Sequence, residues 1–256
     1  MSDNSDQTGA SSGTGGKKTA YYRPIPELSP YAGHKRYETR KEVHKFYLAK
    51  IRELTDTDAP LRVLDVGCGN GELLYVLKSE IPAWSYKGVD ATSAFVEAAK
   101  TFPGLAGVEF EVCDIESAQG QYDLVLCTGV LQIFPQVETP LGKLVELTKK
   151  GGWIFCDGLF NKWDVEVRME YCDNSNDVAR GLWRVDWNQH SRKTVSAFLK
   201  DWVANFKFLD IEMDLDLAPN PNIHTNQFTF RNAEGRNIIT NGTNVLLNKT
   251  MLIIER

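Results

Sequence analysis

The sequence predicts an α/β fold in which a doubly wound sheet is covered by helices on both faces. From residue 62 to residue 160, short apolar stretches typical of buried strands alternate with helix-like stretches. The first strand, Arg62–Val66, runs into a turn with three alternating glycines, and the helix-like run Glu72–Ser79 follows at once. This order opens a nucleotide-binding βαβ unit.

The length and composition of the chain narrow its possible functions. Its 256 residues suffice for one large domain or two small ones, and the net charge of −5 comes without a basic cluster, which argues against a nucleic-acid partner. No apolar run reaches the roughly 20 residues that cross a bilayer, and no secretory signal begins the chain. We therefore expect a cytoplasmic protein whose five cysteines are reduced. No Cys or His pair has the spacing of a metal site.

The domain organisation follows from composition. Residues 1–20 are mostly Ser, Gly, Asp and Thr, and we expect a disordered tail there. Residues 21–256 are expected to form a single domain, in which a helix over Lys35–Leu54 precedes the first strand.

The glycine turn indicates which ligand the βαβ unit binds. Its spacing is G-x-G-x-G, whereas a dinucleotide site needs G-x-G-x-x-G. Glu72 stands three residues after Gly69, where a carboxylate would compete with phosphate for the first N–H groups of the helix. Asp65 lies two residues before the turn. The pattern favours a ligand with a positive centre and no phosphate.

The segment Leu64–Gly71 resembles the first motif of the class I S-adenosylmethionine-dependent methyltransferases. S-adenosylmethionine has a sulfonium, an ammonium and a ribose, which suits the pattern. The resemblance implies a Rossmann-like, seven-stranded sheet of order 3-2-1-4-5-7-6 with strand 7 antiparallel. It also implies S-adenosylmethionine as cofactor and S-adenosylhomocysteine as product.

The second and third strands end in acids. Ser85–Val89 is followed by Asp90, which lies 19 residues after Gly71. That is close to the about 20 residues at which an acid meets ribose hydroxyls. The third strand, Val108–Cys113, precedes Asp114 and Ile115, which the resemblance places at the adenine. The alternative is that Asp114 caps the turn that follows it.

The later elements complete the sheet. A fourth strand over Tyr122–Cys127, a helix over Leu141–Thr148, a turn at Lys149–Gly152 and a fifth strand over Trp153–Cys156 are predicted. A last helix over Val195–Trp202 and strands over Phe206–Leu215 and Val245–Arg256 follow. Residues 161–189 and 218–243 are predicted to be insertions that cap the substrate.

The candidate site residues lie at strand ends, in the first helix and in the insertions. The candidate cofactor contacts, mostly implied by the resemblance, are Asp65, Gly67, Cys68, Gly69, Gly71, Asp90, Ala91, Asp114, Ile115, Cys127, Tyr37 and Arg40. The candidate substrate contacts are Tyr31, Gln132, Trp183, Trp187 and Asn226. For Arg40 and the tyrosines, the alternatives are a solvated helix charge and packing. Ile133 stands where many family members carry a histidine, so we assign the catalytic base to His190, with a packing histidine as the alternative.

The sequence therefore predicts a methyltransferase for a small polar molecule. Flat Trp and Tyr faces beside Asn and Gln groups favour the hydroxyl of a sugar or of a natural-product or glycan precursor. N-methylation of an amine or a protein side chain, and a non-catalytic cofactor-binding scaffold, remain alternatives. The sequence leaves the oligomeric state open.

Overall fold

The computed structural model describes residues 37, 38, 40–172, 174, 180–211, 218, 228–232, 234–240, 246–247 and 250–256. The expected tail and the candidate substrate residues Tyr31 and Asn226 lie outside these ranges. The α-helices are α1 (Glu42–Leu54), α2 (Glu72–Glu80), α3 (Ser93–Thr101), α4 (Glu138–Leu147) and α5 (Arg192–Leu199). The strands are β1 (Arg62–Val66), β2 (Ser85–Asp90), β3 (Glu109–Val112), β4 (Tyr122–Cys127), β5 (Thr148–Asn161), β6 (Glu170–Cys172), β7 (Trp183–Val185), β8 (Gln189–Ser191), β9 (Asn205–Asp210), β10 (Phe228–Arg231), β11 (Asn237–Thr240), β12 (Leu246–Leu247) and β13 (Thr250–Glu255).

The main sheet has the predicted strand order and the predicted strand directions. Its strands run β3-β2-β1-β4-β5-β13-β9, with β1 to β5 parallel and β13 antiparallel to both β5 and β9. The predicted order is confirmed, with β9 as strand 6 and β13 as strand 7. Because β1 to β5 are parallel, their carboxyl ends meet at one edge, where doubly wound folds bind ligands.

Apolar side chains on both faces of the sheet make two cores. Alternation along β1 sends Val63 to the core beneath α1 and α2, and Leu64 to the opposite core beneath α4 and α5. Tyr47 and Leu74 pack in the first core, and Leu141 in the second. The expectation of helices on both faces is confirmed.

The fifth strand is longer than predicted. The predicted turn Lys149–Gly152 is an irregularity inside β5, where pairing with β4 jumps from Tyr122–Thr148 to Leu124–Trp153. A left-handed Gly151 (φ 77°) allows the chain to bend there without leaving the sheet. Beyond Cys156, β5 continues to Asn161 because β8 pairs in parallel with its last residues.

Other predicted boundaries shift by a few residues. The first helix begins at Glu42. The last helix begins at Arg192, three residues earlier than predicted, because Ser191 caps it by accepting from the N–H groups of Lys193 and Thr194, and it ends at Leu199. Within the predicted insertion 161–189, β6 pairs with β7. In the predicted insertion 218–243, β10 and β11 form a small antiparallel sheet with β12, which belongs to the predicted last strand. No helix in the described ranges is both long and apolar enough to cross a membrane.

Candidate functional site

The glycine turn after β1 is folded against the end of β2. Gly67, Gly69 and Gly71 all have left-handed backbone, with φ of 74°, 54° and 84°. The N–H groups of Gly67 and Cys68 donate to the Val89 carbonyl at 2.8 and 3.0 Å. A Cβ on Gly67 would lie 2.3 Å from Val130 Cγ2, whereas a Cβ on Gly69 would meet nothing within 4 Å. The turn is thus packed on one side and open beside Gly69, where a ligand can approach the backbone.

Asp90 holds this turn in place. Its Oδ2 accepts from the Gly69 N–H at 2.9 Å and its Oδ1 accepts from the Thr92 N–H at 2.8 Å. Burial raises the pKa of Asp90, although these two hydrogen bonds oppose the shift. Each carboxylate oxygen retains a lone pair, so the group can also accept from a diol.

Two further acids lie behind the turn. Asp65 is 2 % exposed, and burial, followed by the charges of Asp90 and Asp157, raises its pKa to about 8. Within the described ranges, its buried Oδ1 has no hydrogen-bond partner. Three neighbouring carboxylates with one unsatisfied oxygen favour a cationic ligand, because a positive charge would stabilise their ionised forms. No group of His, Cys, Asp or Glu in the described part of the chain could hold a metal ion.

Asp157 joins three elements at the edge of the sheet. Its Oδ1 accepts from the Gly129 N–H at 2.8 Å, just after β4, and its Oδ2 accepts from the Tyr47 hydroxyl of α1 at 3.1 Å. Burial, and next the charge of Asp157, raises the pKa of Tyr47 well above its ordinary value. Tyr47 therefore remains a proton donor, and α1 is fixed over the first core.

The start of the described chain contacts the turn from outside. The Tyr37 hydroxyl donates to the Asn70 carbonyl, and the Tyr37 ring stacks on Phe102 with centroids 3.7 Å apart. Arg40 pairs with Glu80, at the end of α2 remote from the glycine turn. The structure thus brings Tyr37 to the backbone of the turn and leaves Arg40 away from it.

Glu72 is neutralised rather than free to face a ligand. This buried carboxylate lies 2.6 Å from the Lys41 ammonium. Glu72 therefore repels phosphate from the helix start less than its charge alone suggests, because the lysine cancels much of its field. The preference for a cation therefore depends on Asp65, Asp90 and Asp157 instead.

The candidate adenine contacts lie beyond β3. Asp114 is exposed, and its Oδ1 accepts from the Ser117 N–H at 2.8 Å, which is the capping arrangement. Ile115 is buried in the core, Ala91 is exposed and Cys127 is fully buried. A ligand role for these residues stays a prediction.

His190 is enclosed at the edge where the methyl acceptor is expected. The residue is 0 % exposed, and its Nε2 donates to the Leu131 carbonyl at 3.2 Å. Its Nδ1 lies 3.5 Å from Glu166 Oε2, while Glu166 Oε1 accepts from the Ser191 N–H. Burial is the largest cause that lowers the pKa of His190. Nε2 is engaged by Leu131, whereas the buried Nδ1 has no hydrogen-bond partner in the described part of the chain. The role of His190 as a base stays a prediction.

The other candidate substrate contacts separate into two groups. Gln132 follows β4, and its Nε2 donates to the Gly129 carbonyl at 3.0 Å. The backbone carbonyl of Gln132 accepts from the Asn188 N–H at 3.0 Å. This hydrogen bond brings Asn188, and with it the neighbouring Trp187, to the same edge. Trp183 lies on the hairpin of β6 and β7 and is 71 % exposed.

Comparison with known proteins decides the family. A family described as "Methyltransferase domain" matches residues 57–197, more than half of the 256 residues. The chain belongs to the class I S-adenosylmethionine-dependent methyltransferases. This membership assigns S-adenosylmethionine as the cofactor. The space beside Gly69 lets a nucleoside approach the backbone. The carboxylates of Asp65, Asp90 and Asp157, with the unsatisfied Asp65 oxygen, suit the positive charge of the cofactor.

Curated relatives of this methyltransferase match a little under half of it. A malonyl-[acyl-carrier protein] O-methyltransferase of Acetivibrio thermocellus is 31% identical over 46% of this chain and 43% of its own. A ubiquinone biosynthesis O-methyltransferase of Thiobacillus denitrificans is 29% identical over 45% of this chain and 52% of its own. The chain spans about half the length of these relatives. The crystal structure of TehB from Haemophilus influenzae, 15% identical, aligns over 87% of this chain and 65% of its own with a TM-score of 0.54, which supports the fold.

Two residues of the methyltransferase site escape sequence analysis. Asp157 directly follows the predicted fifth strand, as Asp90 follows the second, and that position is the signal that could have identified it. Tyr47 is one of several apolar-stripe residues in its helix, and no local pattern marks it as the partner of an acid 110 residues away.

Proposed function

We propose that the chain transfers a methyl group from S-adenosylmethionine to an oxygen of a small polar molecule, most specifically a hydroxyl of a sugar or of a natural-product or glycan precursor. The observation that carries the proposal is the convergence of Asp65, Asp90 and Asp157 behind a glycine turn that is open at Gly69. The cofactor supplies an activated methyl group with a good leaving group. The protein must then position the acceptor and exclude water.

The chain's residues divide this work between two sides of the edge. Asp90 accepts from the ribose hydroxyls while its present hydrogen bonds keep the turn fixed. Asp65 faces the cationic side, and the backbone from Gly67 to Gly71 approaches the nucleoside closely. On the acceptor side, Gln132 follows β4 and its backbone carbonyl accepts from the Asn188 N–H, and we assign these two residues to the acceptor. The O-methyltransferase names of both relatives support oxygen as the acceptor atom.

N-methylation is the second candidate, and the enclosure of His190 favours it. A hydroxyl acceptor needs a base for its proton, whereas an amine delivered in its neutral form needs no dedicated base. The His190 ring is fully buried, and its Nε2 already donates to the Leu131 carbonyl.

Calorimetric titration with S-adenosylhomocysteine tests the cofactor half of the proposal. We expect saturable heat, and its absence at millimolar ligand would leave only a scaffold without cofactor. Methyl transfer from labelled S-adenosylmethionine to matched hydroxyl and amine acceptors then distinguishes the two chemistries. Turnover of amines alone would overturn the oxygen assignment.

A further inference from the structure

The three residues between β7 and β8, Asp186 to Asn188, have an unusual backbone. Trp187 has φ of 61°, and it is the only non-glycine residue in the described ranges with positive φ. Its N–H donates to Asp186 Oδ1 at 2.7 Å. A tryptophan with left-handed backbone is strained, and such strain is concentrated at functional sites.

Two side-chain donors in this segment have no acceptor. Trp187 Nε1 and Asn188 Nδ2 are both buried, and neither has a hydrogen-bond partner in the described part of the chain. Asn188 is 0 % exposed, and its Oδ1 accepts from the Met169 N–H at 2.9 Å. A backbone N–H requires an acceptor, so the amide orientation is fixed and Nδ2 is the unsatisfied atom. A buried donor without a partner is costly unless a ligand completes it.

These donors lie at the edge where the acceptor must bind. The Asn188 N–H donates to the Gln132 carbonyl, and the Gln132 side chain donates to the Gly129 carbonyl. Gly129 in turn donates to Asp157, one of the acids on the cofactor side. A short chain of hydrogen bonds therefore joins the backbone of Asn188, which carries one of the two donors and follows the other, to the cofactor side.

The chemistry of the donors selects the group that they bind. An indole N–H and an amide NH₂ donate and cannot accept. An sp² oxygen accepts without adding a hydrogen, whereas a hydroxyl adds a further donor that needs its own acceptor. We propose that Trp187 Nε1 and Asn188 Nδ2 bind a carbonyl or carboxylate oxygen of the methyl acceptor. This inference rests on the proposed function.

Indole N–H signals in ¹H–¹⁵N spectra test the inference directly. The full chain carries six tryptophans, and the Trp187→Phe variant assigns the signal of Trp187. The probes are malonate, malonamide and 1,3-propanediol, three-carbon compounds that present carboxylates, neutral carbonyls or only hydroxyls. We expect malonate or malonamide to shift the Trp187 signal saturably and 1,3-propanediol to leave it unchanged. A response to malonate alone would indicate that the bound group is a carboxylate, and a response to malonamide would indicate a neutral carbonyl.

Trp84 provides an internal control, because its Nε1 already donates to the Ala59 carbonyl at 2.8 Å. Its signal should not respond to any probe. No movement of the Trp187 signal with malonate or malonamide, or an equal movement with 1,3-propanediol, would overturn the inference.

Two substitutions separate the subsite from mere packing. Trp187→Phe removes an unsatisfied donor, so the chain should keep its stability while probe affinity falls roughly fivefold to tenfold. Trp84→Phe breaks a satisfied hydrogen bond and should lower stability without changing probe affinity. Asn188→Asp keeps the acceptor for Met169 and replaces the free donor, so it should also weaken probe binding. Unchanged probe affinity in both site variants would assign the two donors a purely structural role.

The two proposals fail in different ways. Binding of S-adenosylhomocysteine without any Trp187 response would remove the subsite and leave the methyltransferase proposal intact. A Trp187 response without any heat from S-adenosylhomocysteine would overturn the proposed function, and with it the role of this subsite in methyl transfer.

Discussion

The Tyr47 hydroxyl donates to Asp157 Oδ2 at 3.1 Å, and this hydrogen bond ties the helix before the sheet to strand β5. The other oxygen of Asp157 accepts from Gly129. One carboxylate thus fixes both the position of α1 and the backbone after β4. The cofactor side and the acceptor side of the proposed site share this support.

Removing the Tyr47 hydroxyl should weaken both the fold and cofactor binding. We expect Tyr47→Phe to lower the free energy of unfolding by about 1–3 kcal/mol, because Asp157 loses a buried donor. S-adenosylhomocysteine affinity should fall with it. Denaturant unfolding and calorimetry measure the two effects.

Tyr86→Phe is the matched control. The Tyr86 hydroxyl donates to the Ile81 carbonyl at 2.8 Å, away from the site. It should lose similar stability and keep the affinity for S-adenosylhomocysteine. Equal affinities in the two variants would show that Asp157 does not support the site through Tyr47.

The local hydrophobic and glycine pattern of the sequence predicts the strands and the glycine turn. The features that it does not predict depend on contacts between residues far apart in the chain. Asp65 and Asp90 stand next to their strands, so spacing alone identifies them. The full burial of His190 depends on pairing between β8 and the extension of β5. The hydrophobic periodicity of the sequence does not predict this pairing. The Asp157–Tyr47 pair spans 110 residues for the same reason. The position of His190 just before the last helix therefore predicts a catalytic base, whereas the structure buries its imidazole completely.

Gly67 should tolerate alanine less well than Gly129. Both have positive φ, 74° and 72°, so both substitutions carry the same left-handed cost of about 1–2 kcal/mol. A Cβ on Gly67 would also lie 2.3 Å from Val130 Cγ2, whereas one on Gly129 meets nothing within 4 Å. Overpacking should add about 1–3 kcal/mol to Gly67→Ala in denaturant unfolding.

The additional substitution Val130→Ala isolates the steric part of this cost. It should recover some stability in the Gly67→Ala background, because the colliding Cγ2 atom is removed. Equal losses for Gly67→Ala and Gly129→Ala would mean that the turn does not pack against Val130 as described.

Asp90→Asn should reduce S-adenosylhomocysteine affinity by about tenfold to a hundredfold. The amide cannot accept at both positions now used by the Gly69 and Thr92 N–H groups, and a charged acceptor for the ribose is lost. Asp123→Asn is the control, because Asp123 is the second residue of β4, at the opposite edge, and pairs with Lys149 at 2.7 Å. A comparable loss of affinity in Asp123→Asn would point to global damage.

His190 should make stability fall as the pH drops below its unfolded pKa. Burial lowers the folded pKa from 6.5, so below about pH 6.5 the unfolded chain binds more protons than the folded one. Its contribution is therefore lost as the pH falls through this window and is constant above it. Urea unfolding at about pH 7.5 and 5.5 should show a smaller decrease for His190→Gln than for the wild type.

Turnover of the same variant decides the catalytic question. If His190 only positions Leu131 and Glu166, His190→Gln should retain the pH profile of the rate, with a change confined to stability or acceptor KM. Loss of one limb of the pH–rate profile at normal stability would instead restore His190 as the base.

Asp65 should release a proton when the cofactor binds. Its pKa of about 8 leaves the carboxyl about nine-tenths protonated at neutral pH. A cation at the unsatisfied Oδ1 favours the ionised form, so binding lowers this pKa, and affinity should rise as the pH approaches 8. Calorimetry in buffers of different ionisation enthalpy should show the release, with a larger effect for S-adenosylmethionine, which carries the sulfonium, than for S-adenosylhomocysteine. Asp65→Asn should abolish the buffer dependence, and a buffer-independent enthalpy in the wild type would contradict the placement of the cation beside Asp65.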